Sequence, residues 1–323
     1  MKHYLSRREF LANSACAAAV LALGSKPKLD FEAPPERTFG KALILKKPTE
    51  EMLRKIKDAG FDGVEAGITG TAEAAKIRKI AERLDMRIHS VLRGWARFNS
   101  KNPEDLEETM ASTVRALHAA AAYGADAVLL VPCQIKAQPM PEPWEFCIKF
   151  DTKTGHLTAV AEKDNDRYRD YIAAHDHAYD SSQAAIRKLI GTAEKMGVVI
   201  AVENVWNNLF VDPHHAAHFI DSFESPWVRF YFDIGNHVKY SRPQQWIAVL
   251  GKRIVKCHVK DFKLNADGHG GEFVNIREGS VDWPAVVKAL KDAGYHGWMT
   301  IEGSDKLSMA ERSRRLDLII AGR

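Results

Sequence analysis

The chain has 323 residues, enough for one large α/β domain and few for two, and its 46% hydrophobic and 27% charged content is that of an ordinary soluble globular protein. A net charge of +4 with no basic block argues against nucleic acid as a partner. Four cysteines (Cys16, Cys133, Cys147 and Cys257) lie far apart with no CxxC pair, which argues against a zinc knuckle and gives no clear disulfide framework.

At the N-terminus, Ser6-Arg7-Arg8-Glu9-Phe10-Leu11 precedes an apolar, small-residue stretch over 15–24 and then the polar Ser25-Lys-Pro-Lys. Twin arginines ahead of a short apolar run are the pattern of a Tat export signal, here residues 1–24 with cleavage near Gly24. An apolar run of about 14 residues is too short to span a bilayer comfortably, so no stable membrane anchor is expected after cleavage. The expected location is the periplasm, or export by the Tat route more broadly. Residues 25–38, with Pro27, Pro34 and Pro35, read as a linker, and 39–323 as a single domain.

Within 39–323, β-branched and aromatic runs alternate with helical segments, the βαβ rhythm of a parallel sheet. Strands are predicted at 41–46, 61–67, 87–92, 126–132, 198–203, 228–233, 254–258 and 298–302. Helices are predicted between them and after the last, the clearest being 103–123, opened by Pro103 and closed by Gly124. Eight strands and eight helices predict an α/β protein, a single-domain (β/α)8 TIM barrel. Long insertions near 133–169 and 263–281 fall in βα loops, on the side where barrel enzymes keep their chemistry.

Four of the later runs end in a side chain that can hold a metal: Glu203, Asp233, His258 and Glu302. In a closed barrel all four reach the C-terminal rim. Three carboxylates and an imidazole converging there would need a divalent cation to hold them together. Oxygen and nitrogen donors without a thiolate favour Mn2+, Mg2+, Co2+ or Zn2+ over soft metals, and Cys257 alternates to the opposite face from His258.

The motifs Gly60-Phe-Asp-Gly-Val-Glu65, Val202-Glu-Asn204, Phe232-Asp-Ile-Gly-Asn-His237, Val255-Lys-Cys-His-Val-Lys-Asp261, Gly279-Ser-Val-Asp-Trp283 and Thr300-Ile-Glu-Gly303 follow one another in order. By these the chain resembles the xylose isomerase-like barrel superfamily, in particular its sugar phosphate isomerase/epimerase branch with tagatose 3-epimerase-like members, over roughly residues 40–322. The resemblance implies one divalent ion, manganese foremost, on Glu203, Asp233, His258 and Glu302. It also implies that Glu203 and Glu302 are the catalytic pair, one removing a proton beside a carbonyl and the other returning one through an enediolate. His237 is implied as a substrate-binding residue, although close relatives place that histidine three residues after the aspartate, where this chain has Asn236.

Lys260, His89, Glu65 and Trp206 are further substrate-binding candidates, and Arg93 and Trp95 could line the same pocket. Asp261 is expected to orient a ligand or cap its loop. His214, His215 and His218 are expected on a solvated helix face. The leading expectation is a metal-dependent carbohydrate isomerase or epimerase. An export signal and the lack of a Gly-rich phosphate cradle point to a small, non-phosphorylated sugar. Alternatives are a lyase or dehydratase on a 3-keto-glycoside or inosose-like ketone, a non-catalytic sugar-binding protein, and an endonuclease IV-like repair enzyme, for which the needed extra histidines and basic face are lacking. Homo-oligomerisation is left open.

Overall fold

A strand covered by helices on one face and by packed side chains on the other is apolar along its whole length, which is why the strands of this chain stand out as runs. The computed structural model describes residues 39–323, so the Tat-type segment and the linker lie outside the described residues. The runs form β1 (Gly40–Leu45), β2 (Gly63–Gly67), β3 (Arg87–Trp95), β4 (Ala127–Val131), β5 (Val199–Glu203), β6 (Val228–Asp233), β7 (Ile254–Val259) and β8 (Trp298–Ile301). They close in the order β1-β8-β7-β6-β5-β4-β3-β2. Every neighbouring pair is parallel. This is a single (β/α)8 TIM barrel.

The helices are α1 (Glu50–Asp58), α2 (Thr71–Arg83), α3 (Pro103–Tyr123), α4 (Arg169–Met196), α5 (Pro213–Asp221), α6 (Pro243–Leu250), α7 (Trp283–Asp292) and α8 (Met309–Ile320). Their ends are set by local chemistry. Asn102 caps α3 by accepting from Glu104 N, and Gly124 ends it in the left-handed conformation. Asp212 accepts from His214 N and His215 N at the start of α5, and Ser308 from Glu311 N at the start of α8. Among the described residues no helix is long and apolar enough to cross a membrane.

Both rim insertions carry structure of their own. In the first, Lys149–Phe150 pairs antiparallel with Leu157–Ala159. In the second, Asp261–Leu264 pairs antiparallel with Gly271–Val274. The two insertions meet where Trp144 stacks on His269, ring centroids 4.1 Å apart.

The histidines of α5 depart from their expected solvated face. His215 is buried, and its Nε2 donates to the Gly155 carbonyl at 2.8 Å. His218 donates from Nε2 to the Thr152 carbonyl at 2.9 Å and accepts the Tyr179 hydroxyl at Nδ1 at 2.8 Å. The reason is the first insertion, which folds back over α4 and α5 and needs donors for its turn carbonyls. Only His214 keeps an exposed position.

Candidate metal centre

Parallel pairing brings the ends of β5 to β8 to one level. Asp233 lies opposite His258 in the β6–β7 register, and Thr300, two residues before Glu302, lies opposite His258 in the β8–β7 register. The donor atoms of Glu203, Asp233, His258 and Glu302 consequently all lie within 4.8 Å of one another. His258 Nδ1 is the hub, 3.1 Å from Glu203 Oε1, 3.4 Å from Glu302 Oε2 and 3.9 Å from Asp233 Oδ2.

His258 and Asp233 are each aimed by partners behind them. His258 Nε2 lies 2.8 Å from Glu65 Oε2, and Glu65 in turn accepts the Ser90 hydroxyl at 2.8 Å. A carboxylate at Nε2 holds a ring proton there, so Nδ1 is the nitrogen that faces the cluster and the one that would give its lone pair to a bound cation. Asp233 Oδ1 accepts from Gly235 N and Asn236 N in its own turn. That turn needs glycine, because a Cβ at Gly235 would sit 2.7 Å from the Lys260 carbonyl carbon. Asn204 ties β5 to β6, donating to the Asp233 carbonyl at 2.8 Å and accepting from Asp233 N at 2.7 Å.

Asp233 Oδ2 is then left buried with no hydrogen-bond donor. Its nearest cationic atoms are Lys260 Nζ at 3.8 Å and His258 Nδ1 at 3.9 Å. Burial pushes the Asp233 carboxyl well up and the Glu203 carboxyl up. Burial also acts on Glu302, but His258 and Lys260 overcome it and hold this carboxyl below the usual range. Lys260 Nζ sits 2.8 Å from Glu302 Oε2. Burial opposes charge on His258, yet its neighbours, Tyr231 and Glu65 foremost, raise it well above its ordinary value. An orphaned buried carboxylate oxygen beside an imidazole nitrogen that faces three carboxylates is what a divalent cation would satisfy, in place of the Nδ1 proton. The O,O,O,N donor set suits Mn2+, Mg2+, Co2+ or Zn2+, and the residues fit such an ion.

A cavity of about 490 Å3 opens over the cluster, lined by Glu203, His258, Lys260 and Glu302 with Leu92, Trp95, Leu129 and Val131 as apolar wall. Of the predicted substrate-binding residues only Lys260 lines it. Glu65 lies behind His258 with no exposure. His89 is buried deeper, stacked on Trp298 at 4.6 Å with Nε2 3.0 Å from Thr300 Oγ1. His237 turns away, donates from Nε2 to the Phe210 carbonyl, and is pushed by burial down to about 3. Asn236 lines the cavity in its stead, because the turn at Gly235 points position 236 inward. Trp206 supports that turn, donating from Nε1 to the Asn236 carbonyl, while its ring faces Lys239 Nζ at 3.7 Å. Arg93 is absent from the cavity lining and bonds Thr109 and Thr113 on α3. Lys46 and Arg312 also line the cavity and escaped the sequence reading, since neither lies near a ligand in the chain.

The profile of the xylose isomerase-like TIM barrel family matches residues 53–317. The chain belongs to that family. An L-ribulose-5-phosphate 3-epimerase, UlaE, of Escherichia coli is 29% identical over 135 residues, 41% of this chain and 45% of that protein. The chain thus matches less than half the length of this curated relative. Among solved structures, the 3-keto-D-glucoside 4-epimerase YcjR of E. coli covers 88% of this chain and 99% of its own at TM-score 0.63 and 14% identity. The IolI protein with a bound zinc atom covers 88% and 98% at TM-score 0.63 and 15% identity. At those identities the likeness is one of fold. Within the xylose isomerase-like barrel, sugar epimerases and isomerases are this chain's neighbours, and the four-residue cluster is its candidate metal site.

Proposed function

We infer that the protein is a divalent-metal-dependent carbohydrate isomerase or epimerase that moves a proton on carbon next to a carbonyl. A divalent ion on Glu203, Asp233, His258 and Glu302, manganese in our reading, would supply charge stabilisation for the oxyanion that develops as the enediolate forms. The chain's own residues do the rest. Glu203 lines the cavity, and burial raises its carboxyl toward neutrality, which suits a group that must both take and hold a proton. Glu302, 3.4 Å from His258 Nδ1 and 2.8 Å from Lys260 Nζ, is kept anionic, ready to exchange the second proton. Lys260 and Asn236, 3.2 Å apart, offer hydrogen bonds to substrate hydroxyls. The apolar wall of Leu92, Leu129 and Val131 excludes water from the intermediate.

The observation that carries this reading is the orphaned Asp233 Oδ2 inside a four-donor cluster that also borders a substrate-sized cavity. A non-phosphorylated keto sugar is the substrate favoured by the twin-arginine segment. The same segment supports a periplasmic location, which cell fractionation of the full-length chain tests.

The central experiment measures metal content of the protein and deuterium uptake from D2O into candidate ketones. One bound divalent ion, lost in Glu203→Gln or His258→Ala, with deuterium entering beside the carbonyl, is the expected result. A metal-free protein, or no exchange across a broad panel of ketones, would overturn the assignment. The products then separate epimerisation from elimination.

A further inference from the structure

A second cavity, of about 460 Å3, adjoins the one over the metal centre and is lined by Trp95, Arg97, Asn99, Ser100, Gln134 and Lys136. Trp95 is a wall of both cavities. Apart from Trp95, none of these residues borders the cluster or has a part in the reaction above.

The indole of Trp95 is 48% exposed and forms a wall shared by the two cavities. The chain goes to some length to hold it there. Strand β3 runs for 9 residues, and its register against β4 shifts between Leu92 and Gly94. Gly94 sits at φ +67°, the left-handed conformation that a bulge glycine adopts, and such a bulge re-aims the side chain that follows. At the bulge itself, Arg93 Nη1 donates to the Trp95 carbonyl at 2.5 Å while its Nε and Nη2 hold Thr113 Oγ1 and Thr109 Oγ1 at 3.0 and 2.7 Å. Ala96 N then bonds the Val131 carbonyl at 2.7 Å. The ring therefore stands on a fixed backbone.

The rest of the wall is polar and in part preset. Arg97 is paired with Asp105 at 2.8 Å, and Ser100 Oγ donates to the same carboxylate at 2.8 Å. Asn99 Nδ2 holds the Gln134 backbone carbonyl at 2.9 Å. The Gln134 amide and the Lys136 ammonium are exposed and unengaged by other described residues. With the Arg97 charge already matched by Asp105, Lys136 is left as a single ammonium on this wall, too little for a strongly anionic ligand. An aromatic face bordered by an amide, an ammonium and a hydroxyl suits a molecule with an apolar C–H face and a rim of hydroxyls, which is a pyranose ring.

We propose that this second cavity is a subsite for a second sugar ring, so that the substrate is a glycoside: the reacting keto ring sits over the metal centre and the attached ring stacks on Trp95. The subsite rests on the proposed reaction only for the identity of the first ring.

The test compares methyl glucoside with cellobiose, maltose and sucrose, each oxidised to the ketone at C3 of a glucosyl ring, as exchange substrates of the metal-loaded protein. Calorimetric binding of the unoxidised disaccharides runs beside it. At least one disaccharide is expected to show a KM about tenfold below that of the methyl glycoside, the size of one well-stacked aromatic contact plus its hydrogen bonds. That ratio should fall toward one in Trp95→Ala and in the Gln134→Ala/Lys136→Ala pair. Equal KM values, or a ratio that survives both variants, would overturn the subsite. Calorimetric binding of a disaccharide that depends on Trp95, without exchange in any ketone, would uphold the subsite and sink the reaction instead.

Discussion

Glu65 Oε2 lies 2.8 Å from His258 Nε2, both groups fully buried, and this contact decides which nitrogen of the imidazole faces the three carboxylates. The residue that orients the cluster thus comes from β2, three strands round the barrel from β7. Replacing it should act on metal binding more than on folding. In Glu65→Gln the amide oxygen can still accept from Nε2–H, but the charge is gone, and metal affinity should drop by about tenfold or more. Metal titration by calorimetry checks this; unchanged affinity would mean that the ring is oriented by packing alone.

Lys260 should matter to the reaction rather than to the fold. It pairs with Glu302 at 2.8 Å and lines the cavity. Lys260→Met keeps the stem's packing and removes the charge, and the rate of deuterium exchange should fall by about 100-fold with metal content retained. Loss of metal together with rate would instead make Lys260 a structural prop of the cluster.

Asp261 organises the second rim insertion. Its carboxylate accepts from the backbone N–H groups of Arg277, Gly279 and Val281 at 2.9, 3.1 and 3.3 Å and from Trp283 Nε1 at 3.3 Å. Asp261→Ala leaves these donors without their anion and should cost about 2–4 kcal/mol. Hydrogen exchange should rise over residues 263–281 ahead of the barrel strands. Protection equal to that of the parent chain would refute the role.

Stability should also fall in mild acid. His215 and His237 are pushed by burial down to about 3 in the folded chain, each donating to a backbone carbonyl. Unfolded, each titrates near 6.5, so between those values the unfolded state binds more protons and stability rises with pH. Each ring should withdraw about 2 kcal/mol between pH 7 and pH 5. Denaturant midpoints across that range measure the slope, which should be shallower in His215→Gln, where the amide can still serve the Gly155 carbonyl.

Much of this molecule could be read from its residues alone. A buried parallel strand is apolar throughout, so β5 to β8 showed their limits, and the polar residue at each C-terminal end had to lie on one rim once the sheet closed. That reasoning found Glu203, Asp233, His258 and Glu302 without any knowledge of distance. The alternation of side chains along β7 likewise put Lys260 on the face of His258 and Cys257 on the other.

What tertiary structure decided is depth and direction at that rim. Glu65 and His89 point into the barrel as alternation requires, but the stagger between strands sets them behind or below the cavity, and stagger is not written in any one strand. His237 and Asn236 are neighbours in the chain; the tight turn at Gly235 against the Lys260 backbone sends one into the core and the other to the cavity. His215 and His218 looked solvated because the residues that bury them, 149–159, arrive from an insertion more than fifty positions earlier. Arg312 and Lys46 reach the cavity over the cluster from α8 and from just past β1, brought there by closure of β8 onto β1. Local sequence carries period and polarity, whereas depth, facing and partners arise only when separate segments of the chain pack against one another.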